Sequence, residues 1–147
     1  MKRVLLLILL AASVFAGCAK PDISACSEPN LYAWSLLAGP MYSETIATMK
    51  AASGEQQDPA AYAQVIQNLD AEITTLQERR EDAAFIGTPT CLEPSRAALV
   101  DALDLSIAAL EAMRAGEKDI FYTKSMAAAQ RITESMQLSQ NVFDATE

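Results

Sequence analysis

Residues 59–86 read PAAYAQVIQNLDAEITTLQERREDAAFI, and their spacing decides the fold. Tyr62, Ile66, Leu69, Ile73, Leu76 and Ala83 recur at multiples of three and four, interrupted at Arg80, which is the period of one apolar stripe along an α-helix. Asp58 offers an N-cap acceptor, and Pro59 stands at the first helical position, where its missing N–H costs nothing. Gly87 stops the segment. The spacing predicts one helix from about Pro59 to Ile86.

Outward from this stretch, glycine and proline divide the rest of the chain at Pro29, at Gly54 to Pro59, at Gly87 with Pro89 and Pro94, and at Gly116. The segments between them are rich in Ala, Leu, Glu, Gln, Met and Arg, which are good helix formers, and no alternating run of strand length interrupts them. From about Pro94 to Ala115, Leu99, Val100, Leu103, Ile107, Leu110 and Met113 share a face, with Gly116 as the C-terminal stop. From about Asp119 to Phe143 the inner face is Phe121, Ala128, Ile132, Met136 and Val142, in a seam richer in small and polar residues. The first segment, about Ser27 to Ala52, places Leu31, Trp34, Leu37, Met41, Ile46 and Met49 at helical spacing, with Gly39-Pro40 in its middle. An internal proline removes a hydrogen bond and crowds the preceding turn, so a kink or a break into two helices is expected there. Trp34 and Tyr42, on either side of the bend, mark a candidate ligand cleft; a bend that merely wraps the core is the plainer reading. Four such segments with short connections point to an all-α domain over about 26–147, an antiparallel up-down-up-down four-helix bundle.

The N-terminus carries an address. Lys2 and Arg3 precede an apolar run from Val4 to Ala16 that ends in Phe15-Ala16-Gly17-Cys18. A basic start, a short apolar core and small residues before the cleavage point make a secretory signal, and this core is too short for a span of about 20 residues. A cysteine directly after the small residues resembles the lipobox of bacterial lipoproteins, although Phe15 stands where Leu, Val or Ile is usual. The resemblance implies a signal peptide over 1–17, lipidation at Cys18, a lipidated spacer over 18–25, and a protein held by its lipid on the membrane outside the cytoplasm. Simple secretion is the alternative, with Cys18 incidental.

Among the 147 residues are 11 basic and 19 acidic ones, for a net charge of −8, and loss of Lys2 and Arg3 with the signal makes the mature chain more acidic still. That balance argues against nucleic acid, whose phosphates are held by Lys and Arg, and against a polybasic grip on anionic lipid. With Cys18 given to lipid, Cys26 and Cys91 remain as a pair in an oxidising compartment. They precede the first and third segments, whose starts share one end of an up-down bundle, so a disulfide is the expected state and two free thiols the alternative.

The chain has no histidine, which removes Ser-His-Asp and Cys-His catalysis, Glu-x-x-His di-iron sites and His-ligated haem or zinc. No glycine-rich phosphate loop, haem-attachment motif or calcium loop occurs in it either. Asp70, Glu72, Glu78, Glu81, Asp82, Asp101, Asp104 and Glu111 are numerous enough for carboxylate chemistry, but they lie off the apolar seam and read as a solvated face. Arg79-Arg80-Glu81-Asp82 reads as surface ion pairing, with Arg80 on the seam position as a partly buried partner or an outward-reaching cation. Met41, Met49, Met113, Met126 and Met136 are soft Cu(I) ligands in principle, yet their irregular spacing reads as flexible core filler. No catalytic residue, metal or cofactor is expected.

Cys26 before a first helix, a second helix ending near Arg79 and Arg80, and Pro89-Thr90-Cys91 opening a third resemble small two-cysteine helical secreted proteins of unknown function from bacteria. The resemblance covers about Cys26 to Met113 and implies no activity. The expectation is a membrane-anchored envelope lipoprotein acting as a non-enzymatic protein-interaction or structural module toward an envelope partner. A helical bundle that binds a small ligand or lipid is the alternative.

Overall fold

Helix α1, Glu28–Ser53, begins at Ser27 with Pro29 in its first turn and runs unbroken through Gly39-Pro40. Of the kink or break expected at Pro40 the break does not occur, because Pro40 and Leu36, four residues before it, both lie on the exposed face. There the carbonyl that Pro40 cannot serve is turned toward water. Trp34, Ala38, Met41 and Thr45 stay buried on both sides of the proline and hold the two halves of the helix to one core.

The second segment divides instead. Helix α2, Pro59–Gln67, and helix α3, Leu69–Phe85, meet at Asn68, where one long helix was expected. Asp58 caps α2 by accepting the Ala61 N–H at 3.0 Å. Asn68 closes it: its backbone N–H reaches the Gln64 and Val65 carbonyls, and its side-chain amide donates to the Gln64 carbonyl at 3.0 Å. Asparagine competes with helical hydrogen bonding in this way, and no glycine or proline announces it. The jog turns Val65 inward and leaves Ile66 39% exposed, while Leu69, Ile73, Leu76 and Ala83 keep their expected places in the core.

After a 3₁₀ turn at Thr90–Leu92 come α4, Glu93–Arg114, and α5, Lys118–Thr146. The corner between them turns on Gly116 at φ 77°, with the Glu117 N–H on the Ala112 carbonyl at 2.8 Å and the Gly116 N–H on the Met113 carbonyl at 3.0 Å. A positive φ suits glycine, and this pair of bonds satisfies the last carbonyls of α4. The structure is a computed structural model that describes residues 26–54 and 57–146, and all its described elements are helices. The signal segment, Cys18 and the spacer lie outside the described residues. Among the described residues no helix is long and apolar enough to cross a membrane.

Ion pairs fix the directions of neighbouring helices. Asp70 meets Arg114 at 2.9 Å and Arg80 meets Asp104 at 3.0 Å, so α3 and α4 run antiparallel. Glu44 with Arg79 at 2.9 Å, and the Thr48 hydroxyl on Glu72 at 3.2 Å, set α1 antiparallel to α3. The most extensive helix pair is α4 with α5, and Leu99, Leu103 and Leu110 of α4 are fully buried in the common core.

A disulfide joins Cys26 to Cys91 with a Cα–Cα distance of 6.1 Å, inside the range such bonds span. It ties the start of α1 to the turn that opens α4. Closing a sequence separation of 65 is worth up to about 4 kcal/mol through the entropy of the unfolded chain.

Candidate functional site

Trp34 and Tyr42 both reach inward from α1, and their polar ends are occupied by a cluster of serines. The Trp34 indole N–H donates to Ser139 Oγ at 2.9 Å, and Tyr42 Oη lies 2.7 Å from Ser135 Oγ. Ser139 Oγ lies 2.7 Å from Ser95 Oγ. The Ser95 hydroxyl reaches the Ser135 carbonyl at 2.8 Å, and the Ser135 hydroxyl returns the bond to the Ser95 carbonyl at 2.6 Å. Each hydroxyl has one proton to give, and a single assignment satisfies all of them. Trp34 donates to Ser139, Ser139 to Ser95, Ser95 to the Ser135 carbonyl, Ser135 to the Ser95 carbonyl, and Tyr42 to Ser135. Every buried side-chain polar atom among the described residues has a partner. The network therefore joins α1, α4 and α5 without leaving an acceptor or donor aimed at a ligand.

The pocket beside Trp34 and Tyr42 is small, about 170 Å³, and opens at Gly39 between Met136, Ser139 and Phe143. Ligand sites usually start near 300 Å³, so the expected cleft exists as a notch and not as a chamber. A larger groove of about 470 Å³ adjoins it along α5, sharing Met136. Ile46, Met49, Lys50 and Ser53 of α1 form one wall, and α5 forms the other from Tyr122 to Met136. Ile46 and Met136 face inward as their spacing predicts, yet they remain 44% and 48% exposed. They are not core, because Ser125, Ala128 and Ala129 are too short to fill the space between the helices. Met126, 66% exposed, and Tyr122, 51% exposed, continue the apolar strip.

Met49, Met126 and Met136 come together on this groove, but not as a metal site. Met126 and Met136 are separated by about 15 Å of helix, far beyond what one copper ion bridges. Soft, unbranched methionines are suited to a surface that adapts to what it binds.

The acidic residues are spread over the outside. Asp70, Asp104 and Asp101 pair with Arg114, Arg80 and Arg131, the last at 3.6 Å, and Arg79 with Glu44. Arg80 forks onto both Asp104 oxygens in an exposed pair, and this bond raises its already high pKa. Arg96 holds Glu93 in a close ion pair and donates to the Ala84 carbonyl at 2.9 Å. Its hydrogen bonds lower the Glu93 pKa against the opposing effect of burial. Among the described residues no three His, Cys, Asp or Glu side chains gather as a metal site.

Sequence reasoning missed Ser95, Ser135 and Ser139. The available signal was their spacing: Ser95, Ala98, Ala102, Ser106 and Ala109 form a small-residue stripe on α4, and Ser135 and Ser139 stand four apart on α5. No family model, no curated protein and no solved structure matches this chain.

Proposed function

We propose that this chain is a lipid-anchored envelope protein that acts by binding and not by catalysis. Cys18 carries the lipid, the spacer before Cys26 keeps the disulfide-bearing end toward the membrane, and the domain is an up-down-up-down bundle in which α2 and α3 together make the second arm. Its primary role is that of an interaction or structural module toward an envelope partner. The observation that supports this most is the unfilled groove between α1 and α5, an apolar space of about 470 Å³ in an otherwise acidic chain. One feature favours the second reading, a small ligand or lipid: the groove is a long slot between two helices, a shape in which bundles hold ligands.

Mass spectrometry of the membrane fraction tests the anchor, with a diacylglyceryl-modified N-terminal Cys18 as the expected result. A mature N-terminus elsewhere, with unmodified Cys18, would overturn it. The binding surface is tested by Ala129→Trp, which fills the groove from α5. Partner capture or ligand-induced thermal stabilisation should disappear in that variant while its unfolding transition stays cooperative.

A further inference from the structure

The groove has a direction. Trp34 lies against Ser139, and Tyr42 against Ser135, so α1 and α5 run antiparallel. The later residues of α1 therefore lie beside the earlier residues of α5. Lys50, Ser53, Tyr122 and Ser125 fall at one end, and Ile46, Ile132 and Met136 at the other. Among the described residues that wall the groove, Lys50 is the one that carries charge. A groove with one cation and no carboxylate stands out in a chain with 19 acidic residues.

We propose that this groove binds a single-chain anionic amphiphile, a free fatty acid of about sixteen carbons, with its carboxylate at Lys50 and its chain running along α5 toward Met136. The proposal rests on the binding role assigned above and specifies its ligand. Length supports it on the α5 wall, where Tyr122 to Met136 covers about 21 Å of helix axis against about 15 Å for an acyl chain in one bilayer leaflet; the α1 wall, Ile46 to Ser53, flanks about 10 Å of this at the head end. Chemistry supports it too. The Lys50 ammonium and the Tyr122 hydroxyl are donors for a carboxylate, while Ser53 and Ser125 already spend their protons on the Met49 and Phe121 carbonyls. Beyond them the walls offer the exposed Ile46, Met126 and Met136, which gain by covering a methylene chain. A second protein helix would meet the same apolar strip, but the one-sided charge favours a ligand with a single anionic head.

The test uses the full chain, purified from membranes with its anchor and reconstituted into phosphatidylcholine vesicles. Two probes of equal length are compared, a photoreactive palmitic acid and the corresponding uncharged alcohol. The acid should label peptides containing Ile46–Ser53 and Tyr122–Met136 saturably, and the alcohol should need about fivefold more probe, the ceiling for an exposed ion pair. Lys50→Gln should bring the acid down to the level of the alcohol, Lys50→Arg should restore it, and Ala129→Trp should abolish both. Equal labelling by acid and alcohol, unchanged in Lys50→Gln, overturns the anionic head. Absence of groove labelling by either probe overturns the acyl ligand altogether. The broader binding role then still stands if Ala129→Trp abolishes capture of an envelope partner, and falls with the ligand if it does not. Retention of helical circular dichroism and of the disulfide on non-reducing gels shows that each variant has folded.

Discussion

Helix α5 turns one face to α4 and another to α1, and the two are built on different rules. Toward α4 the contacts are small or branched: Ser95, Ala98, Ala102, Ser106 and Ala109 are nearly free of solvent, and Ser135 is fully buried against them. Small side chains let the two backbones approach until each serine hydroxyl reaches the other helix's carbonyl. Toward α1 the groove runs between Ile46 and Met49 on one side and Ser125, Ala128, Ala129 and Met136 on the other, and Ile46 and Met136 stay about half-exposed. Hydrophobic residues at helical spacing thus produce a sealed seam only when the facing residues complete the volume; otherwise they produce a groove.

The difference can be attacked at both seams. Reduction of the Cys26–Cys91 disulfide, or the double change Cys26→Ser with Cys91→Ser, should cost about 2–4 kcal/mol in urea unfolding. Amide exchange should then rise first in α1, which the disulfide ties to α4. Equal loosening of α4 and α5 would mean that the two seams are alike. Leu103→Ala, at a core residue of α4 with no solvent exposure, should cost about 3 kcal/mol by the same measurement. Ser135→Ala removes the acceptor of the Tyr42 hydroxyl and the donor to the Ser95 carbonyl, and should cost about 1–2 kcal/mol. Met136→Ala on the open side should cost no more than about 1 kcal/mol, since nearly half of that residue is already in water. A loss as large as that of Leu103→Ala would show that the groove is closed in solution.

The smallest effect is titration of Glu93. Arg96 lowers its folded pKa below the ordinary 4.5, so the stabilisation is present above that value and is lost as pH falls through the lower folded one. The pair is partly exposed, and solvent screening keeps its worth to about 0.5 kcal/mol. Melting temperatures of the native chain and Glu93→Gln should therefore differ slightly at neutral pH and converge as the solution is acidified through the lowered folded pKa.

Much of this was legible in the sequence. Leu69, Ile73, Leu76, Leu99, Leu103 and Leu110 were fixed as core by periodicity, and Gly116 and Asp58 by their capping chemistry. Cys26 and Cys91 were legible because helix direction places their segments at one end. Asn68 was not, since an asparagine inside a helical pattern reads as tolerated until its side chain is seen bonded to Gln64. Whether Pro40 would break its helix was not legible either: proline breaks a helix where its carbonyl partner is buried, and here that face is outside. The groove was hidden because spacing shows which way Ile46 and Met136 point, not whether anything meets them.

The position of the disulfide has a mechanical consequence. Whatever pulls on the chain ahead of Cys26 acts two residues before α1, in the geometry that peels a terminal helix away one turn at a time. The bond to Cys91 diverts that load past α1 into the turn that opens α4, the helix with the most deeply buried leucines. The load then enters the fold at α4 and not at α1, so the groove wall that α1 forms stays slack.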